Sequence, residues 1–113
     1  MADVSVAIVG AGPAGLLLSQ LLHVAGIDFI SLERRERDYV EGRIRAGVLE
    51  QIGDELLERV GVADRLHREG LPHDGFALST EDGLIRIDIA ALTGRHMTVY
   101  GQTEVTRDLI AAC

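Results

Sequence analysis

Three glycines near the start of the chain have the spacing of a loop that binds the pyrophosphate of a dinucleotide. They are Gly10, Gly12 and Gly15, in a G-x-G-x-x-G pattern between two apolar segments. The first glycine permits a tight turn, the second lets the backbone approach a phosphate, and the third allows the following helix to pack closely on the strand. Because the start of a helix offers unpaired N–H groups and a positive dipole end, we expect the phosphates to bind there.

An acidic side chain, Glu33, follows at the distance where such folds carry the residue that accepts hydrogen bonds from the adenosine ribose. A carboxylate at this position disfavours a 2′-phosphate in the same pocket. The pattern therefore predicts FAD or NAD, rather than NADP, as the tightly bound nucleotide. The alternative is a solvated charge at the end of a strand.

Arginine supplies all eleven basic residues of the chain, and five of them fall between positions 34 and 45. These five are Arg34, Arg35, Arg37, Arg43 and Arg45. Planar guanidinium groups suit phosphate or carboxylate recognition. We interpret Arg43 and Arg45 as ligand-binding residues and leave Arg34 and Arg35 open, because interleaved acidic residues also fit an ion-paired surface segment.

The elements that must position these residues follow an α/β order. We predict a doubly covered strand at residues 4–9, a helix from about Pro13 that ends at Gly26, and a second strand at 27–32. Further on we predict a helix over 48–60 closed by Gly61, a hairpin of 75–79 and 84–88 around 81–83, a short strand at 97–100 and a final helix from about Gln102.

Composition excludes several classes of protein. The chain has 113 residues, 47% of them hydrophobic, with no apolar run long enough to span a membrane, and we expect one domain. A net charge of −7 disfavours nucleic-acid binding. The four histidines lie too far apart for a short metal motif. Cys113 is the single cysteine and no secretory signal is evident, so we expect a cytoplasmic protein without disulfides.

The predicted strands are too few to complete a doubly wound sheet. We therefore expect the 113 residues to be a partial domain at the N-terminus of a longer protein.

Three segments carry a resemblance to a known family. They are GAGPAGLLL at 10–18, DYVEGRIRAGVLEQ at 38–51 and VYGQTEVTRDL at 99–109. The chain resembles the N-terminal portion of the single-component FAD-dependent aromatic hydroxylases, in particular those that act on 4-hydroxybenzoate. The resemblance implies a Rossmann-like FAD-binding domain with an added β-hairpin.

The resemblance also implies roles for individual residues. Ala14 and its neighbours would contact the pyrophosphate and Glu33 the adenosine ribose. The ribityl chain and the isoalloxazine ring would contact Arg43, Ile44, Arg45, Ala46, Gly47, Val48 and Gln102. Transient NADPH or NADH contacts would fall to Arg34, Tyr39, Arg43 and Arg45.

The implied reaction is the hydroxylation of 4-hydroxybenzoate to 3,4-dihydroxybenzoate with NAD(P)H and O₂. The catalytic residues of the family lie in later segments, so none is assignable here. We expect this chain to be inactive alone, and the full-length form could be a homodimer. Two alternatives stay open, namely the Rossmann domain of an NAD-dependent dehydrogenase and a non-catalytic, truncated nucleotide-binding module.

Overall fold

The computed structural model describes residues 3–43 and 45–113. The helices are α1 (Pro13–Val24), α2 (Arg37–Gly42), α3 (Gln51–Arg59), α4 (Asp64–Glu69), α5 (Ile89–Thr93) and α6 (Gln102–Ala111). The strands are β1 (Val6–Val9), β2 (Phe29–Leu32), β3 (Val48–Glu50), β4 (Leu71–His73), β5 (Gly75–Thr80), β6 (Gly83–Asp88) and β7 (Met97–Val99).

The first unit is the predicted strand–helix–strand. β1 and β2 pair in parallel, with Val6 opposite Phe29 and Val9 opposite Leu32, and α1 connects them. Pro13 opens the helix, where its missing N–H needs no partner. The expectation that the first strand is covered on both faces is wrong for the described part of the chain, because Val9 is 87% exposed.

A second sheet was not predicted. β7 pairs antiparallel with β3 on one side and with β4 on the other. The prediction of a helix from residue 48 is therefore wrong at its start, because Val48 and Leu49 pair with Val99 and Thr98 in a sheet. The apolar residues of 48–60 fit a helical period, but pairing with a distant strand decides the conformation of the first three. The helix begins at Gln51.

β5 and β6 form the hairpin that the sequence predicted for residues 75–79 and 84–88. Phe76 lies opposite Ile87, and Leu78 opposite Ile85, so the alternating apolar residues share a register. Four further elements, α2, α4, α5 and β4, contain six residues or fewer and show no clear period in the sequence.

The core lies between the helices. Its buried residues are Leu16, Leu57, Ala63, Leu66, Tyr100, Val105 and Leu109. They come from α1, α3, α4, α6 and the segments beside them, and Leu109 is fully buried. Because α6 packs against α1 and α2, the first residues of α6 lie close to the glycine loop.

Candidate cofactor site

A cleft of about 300 Å³ opens beside the glycine loop. Its lining includes these residues predicted to bind a nucleotide: Gly10, Gly12, Glu33, Arg34, Tyr39, Arg43, Arg45 and Gln102. Residues that the sequence had not assigned to a ligand also line it: Val9, Ala11, Pro13, Leu32, Arg35, Val40 and Thr106. Of these, Arg35 had been left open, and Thr106 could have been found from its position one helical turn after Gln102.

The glycine loop turns sharply at its first residue. Gly10 has a φ of +113°, which side chains of L-residues rarely adopt, and its N–H donates to the Leu32 carbonyl oxygen at 2.7 Å. A Cβ atom on Gly15 would overlap the Gly10 carbonyl oxygen. At Gly12 no atom of the described residues lies within 4 Å of an added Cβ. Backbone conformation thus requires glycine at the first position and packing requires it at the third, while a ligand that approaches the backbone would require it at the second.

Glu33 joins the end of β2 to the glycine loop. Its carboxylate accepts hydrogen bonds from the Ala11 N–H at 2.7 Å and from the Arg35 N–H at 2.9 Å. These backbone donors, Ala11 first, lower the pKa of the Glu33 carboxyl below its ordinary value. Glu33 is therefore an anion at neutral pH, and each carboxylate oxygen keeps lone-pair capacity for a further donor.

Four arginines line the cleft: Arg34, Arg35, Arg43 and Arg45. The Arg35 guanidinium lies 4.8 Å from the centre of the Tyr39 ring, in cation–π contact. Within residues 3–43 and 45–113, no salt bridge involves these four side chains. The alternative of an ion-paired surface applies instead to Arg37, which pairs with Glu41 at 2.7 Å. The cleft therefore presents positive charge that suits an anionic ligand.

Two backbone hydrogen bonds join residues 46–47, next to Arg45, to residues 100–102. The Tyr100 N–H donates to the Gly47 carbonyl at 2.9 Å, and the Gln102 N–H donates to the Ala46 carbonyl at 3.1 Å. Ala46 and Gly47 thus hold the cleft wall through their carbonyl groups. The cleft lining does not include Ala14, Gly15, Ala46, Gly47 or Val48, and Ile44 lies outside the described residues.

The described part of the chain offers neither a metal site nor a membrane-spanning helix. No group of three or more histidine, cysteine, aspartate or glutamate side chains there could hold a metal ion. Among the same residues, no helix is both long and apolar enough to cross a bilayer.

Comparison with known proteins decides the family. The model of the "FAD binding domain" family matches residues 3–113. This chain belongs to that family. Over 108 residues it is 56% identical to p-hydroxybenzoate hydroxylase of Acinetobacter baylyi, a match that covers 95% of this chain and 27% of the relative. Over 112 residues it is 30% identical to pentachlorophenol 4-monooxygenase of Sphingobium chlorophenolicum, covering 96% and 20% of the two chains.

Solved structures agree on the architecture of this FAD-binding domain. The p-nitrophenol 4-monooxygenase PnpA of Pseudomonas putida superposes with a TM-score of 0.76 at 27% identity, covering 94% of this chain and 28% of that one. PqsL of Pseudomonas aeruginosa, a probable FAD-dependent monooxygenase, has a TM-score of 0.80 at 18% identity, covering 96% and 29%, and this likeness shows the fold alone. The chain spans only 20–27% of the length of the two curated relatives named above.

The cleft fits the adenosine diphosphate half of FAD, the cofactor of this family. The N–H groups at the start of α1 have no partner one turn earlier in the helix and can bind the pyrophosphate. The Glu33 carboxylate lies beside them and can accept from ribose hydroxyls.

Proposed function

We propose that this chain forms the FAD-binding part of a monooxygenase that hydroxylates 4-hydroxybenzoate to 3,4-dihydroxybenzoate with NAD(P)H and O₂. The observation that carries the proposal is the 56% identity to p-hydroxybenzoate hydroxylase over 95% of the chain. The cleft supports it, because it combines an ionised carboxylate, a glycine loop and four arginines beside one cavity.

Binding of FAD is assigned to residues on three elements. The backbone at Gly10 and Gly12 approaches the pyrophosphate, and Glu33 accepts from the ribose hydroxyls. Arg45 and Gln102, from the wall built by the paired backbones, contact the cofactor further along its length. We assign Ala14, Ala46, Gly47 and Val48 supporting contacts through the helix start and the adjoining loop. When bound, FAD supplies hydride acceptance from NAD(P)H and activation of oxygen.

We assign contacts with the reductant to arginines of the cleft and to Tyr39. Arg34, Tyr39, Arg43 and Arg45 all line the cleft and are accessible to an anionic dinucleotide. Guanidinium groups can bind its phosphates in two-point contacts, and Tyr39 offers an aromatic face already stacked with Arg35. Glu36 and Asp38 add negative charge next to this surface, which weakens any preference for the extra phosphate of NADPH over NADH.

Substrate activation is not assigned to any residue of this chain. Ionising the phenol and orienting the aromatic ring against the flavin require groups outside the cleft described above. We therefore propose that these 113 residues alone do not hydroxylate 4-hydroxybenzoate and bind FAD only weakly.

The test compares the purified chain with a longer protein that contains it. Consumption of NADPH dependent on 4-hydroxybenzoate, with 3,4-dihydroxybenzoate formed in equal amount, is expected for the longer protein and not for the chain loaded with FAD. Substrate-dependent NADPH oxidation by the chain alone would contradict the proposal that these residues are inactive by themselves. A longer protein that forms no 3,4-dihydroxybenzoate would contradict the proposed reaction.

A further inference from the structure

A cluster of five polar residues lies behind the cleft wall and is not part of the cleft lining. It comprises Arg65 and Glu69 on α4, Tyr100, and Glu104 and Asp108 on α6, and we call it the Tyr100 network. The Tyr100 hydroxyl donates to Asp108 Oδ2 at 2.5 Å. Tyr100 itself is 5% exposed.

Arg65 holds the two carboxylates of α6 in place. Its Nη1 donates to Asp108 Oδ1 at 2.8 Å, its Nη2 donates to Glu104, and its Nε donates to Glu69 at 3.1 Å. Hydrogen bonding from Arg65 lowers the pKa of the Glu104 carboxyl. Burial, together with the bond to Asp108, raises the pKa of the Tyr100 hydroxyl. At neutral pH the hydroxyl is therefore a donor to a carboxylate that is already oriented by a guanidinium.

The backbone of Tyr100 connects this network to the cleft. Tyr100, whose hydroxyl donates to Asp108, also donates its backbone N–H to the Gly47 carbonyl. The Gln102 N–H donates to the Ala46 carbonyl. Gln102, the donor of the second bond, and Arg45, which precedes Ala46, both line the cleft. A displacement of the Tyr100 ring would therefore disturb the bonds between residues 46–47 and residues 100–102.

We propose that Tyr100 and Asp108 are positioning residues for the cofactor site: the hydroxyl–carboxylate bond between them holds residues 100–102 against residues 46–47, and so fixes Arg45 and Gln102 at the cleft. The ligand half of this inference rests on the proposed binding of FAD. The structural half does not, since it concerns only the contact between two backbone segments.

A purely structural role would give a different outcome. If the network only ties α4 to α6, its loss lowers the free energy of unfolding without loosening the backbone pair specifically. The chain offers a matched control, because Thr98 Oγ1 donates to Asp54 Oδ2 at the same 2.5 Å. Thr98 is equally buried, at 5% exposed, and lines a separate groove rather than the cleft.

The experiment compares Tyr100→Phe with Thr98→Val in the purified chain. Each variant removes one buried hydroxyl donor to a carboxylate. Amide hydrogen exchange of the Gln102 N–H, without ligand, is expected to accelerate roughly tenfold more in Tyr100→Phe than in Thr98→Val, as the loss of one charge-assisted hydrogen bond predicts. Asp108→Asn is expected to shift exchange in the same direction.

FAD titration supplies the second readout. Tyr100→Phe is expected to raise the Kd for FAD by about three- to tenfold, while Thr98→Val leaves it within about twofold of the wild type. Equal exchange rates in the two variants would overturn the positioning role, as would unfolding of Tyr100→Phe while Thr98→Val stays folded. If the wild-type chain binds no FAD but the exchange difference is present, the assignment of FAD binding to this chain alone fails while the backbone positioning stands.

Discussion

Glu33 accepts a hydrogen bond from the backbone N–H of Ala11 at 2.7 Å, so one carboxylate joins the end of β2 to the glycine loop. The same side chain also accepts from Arg35, where the arginine segment starts. A single acidic residue thus joins the glycine loop to the arginine segment, and we propose that it also accepts from the ribose.

Replacing Glu33 with glutamine tests this double role. Glu33→Gln keeps the size of the side chain but loses the charge that strengthens both hydrogen bonds, so we expect the Kd for FAD to rise roughly tenfold. Fluorescence titration measures it. Glu81→Gln, in the exposed hairpin turn, is the matched control and should leave the Kd unchanged. If Glu33→Gln binds FAD with unaltered affinity, the carboxylate does not contribute to FAD binding.

The glycine loop gives a pair of substitutions with opposite signatures. Gly15→Ala would overlap the Gly10 carbonyl and should lower the free energy of unfolding by about 1–3 kcal/mol. Gly12→Ala places its Cβ more than 4 Å from every atom that the structure describes outside its immediate neighbours, so we expect unchanged stability and weakened FAD binding. Urea unfolding and FAD titration separate the two. A Gly12→Ala variant with wild-type affinity would show that no ligand approaches the backbone there.

Acid should destabilise the folded chain through Glu104. Its carboxyl pKa is lowered from an unfolded value of 4.5, chiefly by the hydrogen bond from Arg65. Below pH 4.5 the unfolded state therefore takes up a proton before the folded state does, and the free energy of unfolding falls as the pH drops through the folded pKa. Urea unfolding between pH 6 and pH 3, in steps of about half a unit, measures the slope. Glu104→Gln should have a shallower slope, and an identical slope would contradict the pairing.

Alkali should destabilise the folded chain through Tyr100. Burial raises the pKa of this hydroxyl above the 10.0 of an exposed tyrosine, so the stability is fully present below pH 10 and falls above it as the unfolded state ionises first. Unfolding measured on both sides of this pH should show the loss in the wild type. Tyr100→Phe should show a smaller one, with exposed Tyr39 intact as an internal reference. A loss of equal size in both proteins would place Tyr100 in contact with solvent.

Local patterns predicted the parts of the fold that depend on neighbours in sequence. The β1–α1–β2 unit and the β5–β6 hairpin follow from glycine placement and from the period of apolar residues over a few positions. Glu33 could be picked out because its distance from the glycines is set by one helix and one strand. Its hydrogen bond to Ala11 was not expected.

The remainder depends on contacts between distant segments. Val48 fits a helix by its local period, yet it pairs with Val99, and no local pattern shows that partner. Arg45 and Gln102 line the same cleft, so the sequence could name both residues but not the backbone bonds that join residues 46–47 to residues 100–102. The sequence did not single out Arg65 and Asp108, because charged residues are usual on a surface helix.

The most direct test of the account is an NMR titration of the purified chain with FAD and, separately, with NAD⁺. The account predicts that FAD shifts the amide signals of Ala11, Gly12 and Gln102 in a saturable way, that ADP competes for them, and that NAD⁺ binds more weakly. Saturation by NAD⁺ at lower concentration than by FAD, or shifts confined to residues outside the cleft, would contradict it.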